Sequence, residues 1–528
     1  MLKATLKIAD LESFDPFAKG SSIQFGESYI WPFQHKSLES SLVTSSEQWF
    51  FVIRERQGAA DEAGVHSVVI AHASADQFRQ NYQKCMHWPL DFIVIEGARR
   101  GPRLRVRGGH IGSLPIYFHV EERTRTVTLS WDFMDLLDKS RTIDAEIISH
   151  HLSMRTFYSA RQACVGVNLL TAGATLYVDR SRTSFEYGTT TSSAPELSGR
   201  EDSNHVLEFS NTLQAVVRSR PTAFCASAVE LSGGMDSASV AIAVGESIEP
   251  LACGGILLGD GSSPKQGDRR ASILSALNCR DHKVEMRAYM PAIDLDLDPK
   301  GRLPLISEYY LEAFGSLWDR FRGDGCEIIW SGLGGDEFCA RFTSDEDEPR
   351  SPSSPHLDIA LGLAEDLLTK RGLDAARSSF LFSAPVSATQ STTLLASLCH
   401  ARPLATRGLW PVRPFGDPRL IKFGAQLPFA LRSRKELLRC YLRERLGSDV
   451  FPPGYAKETF ALVLPRAIMA RSDIISSQLA SCALADFGLV SQEAVMALLN
   501  RVITTHELSA TSTLARFLWA ERFVRQLC

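Results

Sequence analysis

The chain has 528 residues, 44% hydrophobic and 22% charged, a globular composition with length for two to four domains. Its 57 Lys and Arg against 61 Asp and Glu leave a net charge of −4, which argues against a general nucleic-acid binder. No apolar run is long enough for a transmembrane helix, the opening MLKATLKIADLESFDPF lacks the apolar stretch of a signal peptide, and eleven scattered cysteines without a CxxC pair suggest neither a zinc site nor a disulfide framework, so a reducing cytoplasm is the expected location.

Over the first 190 residues the pattern predicts mainly strands: 48–54, 66–72, 91–97, 102–107, 115–120 and 125–131, each short, β-rich and bounded by turn residues. A helical stretch at 143–152 precedes two more short strands at 174–179 and 184–187. The segment GTTTSSAPELSGREDS at 188–203 has too much Ser, Thr, Pro and Gly to pack a core and reads as a linker. Beyond it the period changes. Helix 204–219, strand 223–231, helix 236–246, strand 251–258, a helix near 268–278, strand 282–288, helix 306–322 and strand 326–331 alternate without a hairpin signal. That order predicts a parallel sheet with helices on both faces. Past 356 the chain reads as mainly helical.

Two turns carry the chemistry. In Val229-Glu230-Leu231-Ser232-Gly233-Gly234-Met235-Asp236-Ser237 an apolar strand ends in Ser-Gly-Gly and a helix begins. Glycines let the backbone approach a ligand closely, and turn amides beside a helix N-terminus suit phosphate. The hydroxyls of Ser232 and Ser237 can add donors. An acid, Asp236, belongs at an anion site if a cation such as Mg²⁺ stands between it and the phosphates; the plainer reading is a strand-to-helix turn with a capping Asp. Strand 326–331 ends in a second such turn, Ser331-Gly332-Leu333-Gly334-Gly335-Asp336-Glu337-Phe338. In an open parallel sheet both turns fall on one edge, where Asp236 and Asp336 can share a cation.

SGGMDS resembles the pyrophosphatase-type nucleotide loop of the asparagine synthetase superfamily, and SGLGGDEF that family's second Mg²⁺-binding turn. The likeness continues in register through DRRASILSALNCRDHKV at 268–284, Pro414 to Leu420 (PFGDPRL), Lys435 to Arg439 (KELLR) and Ala456 to Phe460 with Leu464-Pro465. It spans roughly 205–470. It implies an α/β fold in which a synthetase domain of ATP-pyrophosphatase type, over 204–528 with a helical C-terminal part, follows a β-rich class II glutamine-amidotransferase-like domain over 1–190. It implies ATP and Mg²⁺ as cofactors. ATP and its pyrophosphate would lie against Leu231, Ser232, Gly233, Gly234, Asp236, Ser237, Gly334, Gly335, Lys435 and Lys457. Asp236 and Asp336 would hold the metal, and Lys457, Asp236 and Asp336 are the expected catalytic residues. Lys457, in the loop PPGYAKETF, would stabilise charge on phosphate or on the tetrahedral intermediate.

HIGSLPIYF at 110–118 and LSWDFMDLLD at 129–138 resemble the glutaminase domain of the same family, whose nucleophile is a Cys directly after the initiator Met. Leu2 stands there and the nearest Cys is Cys85, so glutamine hydrolysis is not expected. Two branches of the family have such an inactive domain, one closing β-lactam rings and one closing the macrolactam ring of lasso peptides. The Tyr–Glu pair of the β-lactam branch is not matched: Leu333 holds the first position and Trp410 the second. An α-amino group has a pKa of about 7.7–8.0 and needs less help to lose its proton. The sequence is therefore most similar to lasso peptide macrolactam synthetases. The resemblance implies a leaderless core peptide as substrate and a leader peptidase and a leader-binding protein as partners. A β-lactam-type or other small-molecule amide synthetase and a catalytically inactive scaffold subunit remain the alternatives. The acidic, Ser/Pro-rich segment 343–356 reads as a lid over a peptide channel or as a solvated insertion.

Overall fold

The computed structural model describes residues 1–58, 68–101, 103–153, 158–188, 204–223, 225–259, 263–296, 301–340, 355–378, 384–385, 389–455 and 458–527. The linker expected at 188–203, apart from Gly188, lies outside these residues, as do 343–354 of the acidic segment and Lys457.

The N-terminal part is two stacked seven-stranded sheets. One, all antiparallel, runs in the order Val167–Leu169, Tyr117–Glu121, Thr126–Ser130, Leu2–Lys7, Ser28–Pro32, Ser22–Phe25, Phe17–Lys19. The other runs Thr183–Glu186, Thr175–Asp179, Arg103–Gly108, Phe92–Ala98, Gln48–Glu55, Leu38–Thr44, Val68–His72, and only its last pair is parallel. Alternation drives the stacking. In Leu2–Lys7 the residues Leu2, Ala4 and Leu6 are buried and meet Phe51, Ile53, Ile93 and Ile95 of the opposite sheet in one core. Helix Ala75–Met86, begun by a Ser74–Gln77 capping box, covers the outer face of the second sheet through Phe78 and Cys85.

The second unit is built on a five-stranded sheet, parallel throughout, in the order Cys279–Glu285, Leu251–Leu257, Ser227–Glu230, Ile328–Trp330, Trp410–Val412. The alternation expected from sequence is present, with corrections: the strand placed at 223–231 is Ser227–Glu230 and that at 326–331 is Ile328–Trp330. The helix placed near 268–278 is Ser263–Leu274, the strand placed at 282–288 is Cys279–Glu285, and the helix placed at 306–322 is Leu311–Gly323. Trp410–Val412 adds an edge strand that sequence did not predict. Successive side chains on each strand feed opposite faces. Val229, Cys253, Ile328 and Trp330 pack with helices His205–Arg218 and Met235–Gly245, while Ala228, Ala252, Ile256 and Ile329 pack with Leu317, Trp318 and Phe321 of helix Leu311–Gly323. Helices make up most of the rest, and Leu508–Arg525, buried on nearly every side, is the centre of a further core.

This strand order fixes where a ligand fits. From Ser227–Glu230 the chain adds strands in one direction, and then returns to add Ile328–Trp330 and Trp410–Val412 on the other side. The reversal lies between Ser227–Glu230 and Ile328–Trp330. Loops leaving those neighbours diverge to opposite faces and open a crevice at their carboxyl ends.

Candidate active site

Both Gly turns leave the sheet at that crevice. At the first, the Leu231 amide donates to Gly254 O at 2.7 Å, the last sheet bond before the chain turns. Gly233 then takes φ +90°, which a side chain would strain, and Gly234 is the N-cap of helix Met235–Gly245. That cap has no side-chain hydrogen bond, so Asp236 is not a capping residue. Ser237 Oγ accepts from the Ser232 amide at 3.1 Å and donates to Gly234 O at 3.0 Å. Its hydroxyl braces the turn together with that of Ser232, which lies 3.0 Å from it and accepts from the Gly234 amide at 3.3 Å.

At the second turn Gly334 has φ +94° and caps the short helix Gly335–Phe338. The two turns are in contact. A Cβ on Gly332 would meet the Ser237 amide nitrogen at 2.6 Å, and one on Gly335 would lie 2.6 Å from Asp236 Cβ. Glycine is required at both places by this approach.

The contact brings the expected acids together around a cation. Lys435 Nζ donates to Asp236 at 2.7 and 2.5 Å and lies 2.5 Å from Asp336 Oδ1. Burial would lower the Lys435 pKa, but the two carboxylates outweigh it and raise it. Asp236 is nearly buried, and Asp336 is mostly open to solvent. Lys435 reaches this position from strained backbone: Arg434 and Lys435 have φ of 52° and 59°. Such residues cost about 1–3 kcal/mol each and persist where surroundings fix them. Arg439 does this, donating to Arg434 O at 3.2 Å and to Phe451 O at 3.0 Å. Two carboxylates that share one ammonium can share a metal ion, and a carboxylate pair completed by phosphate oxygens is a donor set that fits Mg²⁺.

Sequence missed the brace behind the first turn. Helix Ser263–Leu274 turns Gln266 and Arg269 toward it. Gln266 Nε2 donates to Ser232 O at 2.9 Å and Ile256 O at 3.0 Å, and Arg269 Nε to Gly233 O at 3.1 Å. Arg269 also pairs with Glu458, which ties the chain that begins there to this turn. The clue is QGDRR, polar residues entering a helix after a buried strand; Arg269 and Arg270 lie within the segment 268–284, for which sequence gives a resemblance but no residue roles.

Trp410 stands by register at the second position of the unmatched Tyr–Glu pair. It is 1% exposed on the edge strand and donates to Glu55 Oε1 at 3.2 Å. In the N-terminal unit Cys85 is buried under its helix and Cys164 in a separate core; burial pushes both thiols up, Cys164 to about 12. Neither is poised as a nucleophile.

No protein-family model matches the chain, and no curated protein does. Among solved structures it is similar to the U34-tRNA thiolase NcsA from Methanococcus maripaludis with its [4Fe-4S] cluster, at 12% identity over 61% of this chain and 79% of that one. The TM-score is 0.25, and a likeness of that degree adds nothing to what the geometry of the two turns says.

Proposed function

We propose that this chain is an ATP-dependent amide ligase that closes a macrolactam ring, joining the N-terminal amine of a core peptide to an Asp or Glu side-chain carboxylate further along it. The observation that carries the reading is the meeting of Asp236, Asp336 and Lys435 across two Gly turns at the switch point of a parallel sheet. Asp236 and Asp336 would hold Mg²⁺, which when bound neutralises the leaving pyrophosphate. The residues supply the rest. The Gly turn lets the phosphates approach closely, and the N-terminus of helix Met235–Gly245 orients them. Lys435, which pairs with both carboxylates, would move onto phosphate oxygens, and Lys457 would take the charge-stabilising role that the family resemblance implies. The peptide carboxylate attacks the α-phosphate and pyrophosphate leaves. The amine then attacks the acyl-adenylate and AMP leaves. Holding amine and carbonyl in reach of each other supplies much of the rate. A leader peptidase and a leader-binding protein are the partners this role calls for.

The test uses the purified chain with ATP, Mg²⁺ and synthetic peptides bearing a free N-terminus and one Asp or Glu several residues in. Pyrophosphate exchange should require the carboxylate, and an N-acetylated peptide should support exchange without ring formation. Asp236→Asn and Asp336→Asn should each lower exchange by orders of magnitude with the circular dichroism spectrum unchanged. Exchange triggered by a small β-amino acid and by no peptide would replace the macrolactam reading with the small-lactam one. No exchange with any carboxylate would leave the scaffold reading.

A further inference from the structure

A cavity of about 310 Å³ lies between the N-terminal sheets and the second unit. Tyr117, Phe133 and Leu169 wall it from one side and Leu305 and Leu398 from the other. Its size suits a small ligand or a peptide end. Two polar atoms of lining residues, Ser307 Oγ and His151 Nε2, are buried without a hydrogen-bond partner among the described residues. Such an atom has lost its hydration without replacement, a cost that a polar ligand group would relieve.

Glu308 follows Ser307 in the same wall. Its Oε2 accepts from His400 Nε2 at 2.9 Å, and its Oε1 from the Tyr310 amide at 3.0 Å. His400 is held behind it by the rings of Phe314 and Trp318, 5.0 and 5.2 Å away. The pair is linked to the first turn, and another residue of the cavity wall to the second. Glu230, the residue that leads into the first turn, acts electrostatically on His400 and accepts from Trp318 Nε1 at 2.6 Å. Thr392, another wall residue, donates to Glu337 of the second turn at 2.6 Å. Burial would raise the pKa of Glu308 and lower that of His400. Their mutual hydrogen bond and charge reverse both, so Glu308 sits below its ordinary value and His400 above. The other titratable groups facing the pair are Glu230, Arg413, Glu312, Tyr309, Tyr310 and Cys399.

We propose that Glu308, held in place by His400, accepts the proton of the attacking amine within this cavity. The inference rests on the ligase reading above. The nitrogen lone pair forms the new C–N bond as the carbonyl π pair moves onto oxygen. The nitrogen is then cationic and far more acidic than a free ammonium, so even a carboxylate of depressed basicity can take its proton. The oxygen pair re-forms the carbonyl as the C–O bond to AMP breaks, and the bonding pair leaves with AMP. The proton passes from Glu308 to solvent. His400 touches no substrate and is a positioning residue.

The experiment compares exchange with ring formation, using the peptides described above. Glu308→Gln should lower ring formation by roughly 10²–10⁴-fold, far more than it lowers pyrophosphate exchange. Glu308→Asp should restore part of the loss. His400→Asn removes the cation beside Glu308, so the acid limb of the ring-formation pH profile should move to higher pH. Ring formation at the wild-type rate in Glu308→Gln, or equal losses of ring formation and exchange, would overturn the role of Glu308 while leaving the ligase reading in place. Absence of exchange in the wild-type protein would take both down.

Discussion

Gly335 shows how closely the site depends on single atoms. Its missing Cβ is what allows Asp236 to lie against the second turn. Gly335→Ala should push the turns apart at about 1–3 kcal/mol of overpacking, and pyrophosphate exchange should fall roughly 10-fold or more. Gly301→Ala, with nothing within 4 Å, is the control. Equal exchange rates in the two variants would mean that turn contact is not needed. At the same scale, the buried His400–Glu308 pair makes stability depend on pH. His400 has a raised pKa, so its contribution is complete below 6.5 and is lost as pH rises through the folded value. Glu308 has a lowered pKa, so its contribution is complete above 4.5 and is lost as pH falls through the folded value. The pair therefore stabilises most between these limits. Urea unfolding of wild type and His400→Asn should differ most there and converge at alkaline pH. A difference independent of pH would contradict the charge assignment.

Among the elements, helix Ser263–Leu274 is the one through which the sheet controls the first turn. Gln266 bonds Ser232 O and Ile256 O and also accepts from the Leu258 amide at 3.4 Å. Gln266→Ala orphans buried backbone groups, and should cost about 1–3 kcal/mol in chemical denaturation and slow exchange as well. Loss of stability with full exchange would limit the helix to a structural part. Gln266 also marks where sequence stopped being informative. The Gly turns were legible because strand, glycine and acid stand together in the chain. Helix Ala75–Met86 was missed although Ser74-x-x-Gln77 announces it, and Leu2–Lys7 although Leu2, Ala4 and Leu6 alternate. Those were errors of reading. Trp410–Val412 is different in kind: three residues around a proline carry no strand period, and only the edge position, where Pro411 needs no partner for its nitrogen, makes it a strand. The Glu308–His400 pair was equally illegible, since 92 residues separate its members and only the packing of helix Ser391–Thr406 brings them together.

For the whole molecule, the seam between the two units explains why an N-terminal part without a poised thiol still matters: it supplies one wall of the cavity. The purified chain should therefore release no glutamate from glutamine in the presence of ATP and Mg²⁺, and catalytic release would return the N-terminal unit to an enzymatic role. Besides the apolar cores that both units share, the seam holds buried polar pairs. Glu55, 1% exposed at the end of strand Gln48–Glu55, lies 3.0 Å from Arg220 Nε, and accepts from Ser113 at 2.7 Å and from Trp410 at 3.2 Å. Arg220 also lies 3.6 Å from Asp417, the N-cap of helix Pro418–Gln426. Arg413 adds a bond to Gly112 O at 3.2 Å and Arg402 one to Asp132 at 2.9 Å. Glu55→Ala would leave the Arg220 guanidinium with the Ser219 hydroxyl at 3.0 Å and no carboxylate closer than Asp417 at 3.6 Å, and would strip an acceptor from Ser113 and Trp410. Breaking a buried pair in this way costs about 3–5 kcal/mol. Arg220→Met alone would strand the carboxylate at a similar cost. The double variant Glu55→Ala/Arg220→Met removes both charges, and its loss should fall short of the sum of the two single losses by a coupling of about 0.5–3 kcal/mol in the cycle. Because the pair joins the units, calorimetry should resolve one unfolding transition for wild type and two for Glu55→Ala. Additive losses with a single transition in every variant would show that the apolar cores shared by the two units, and not this seam, hold them together.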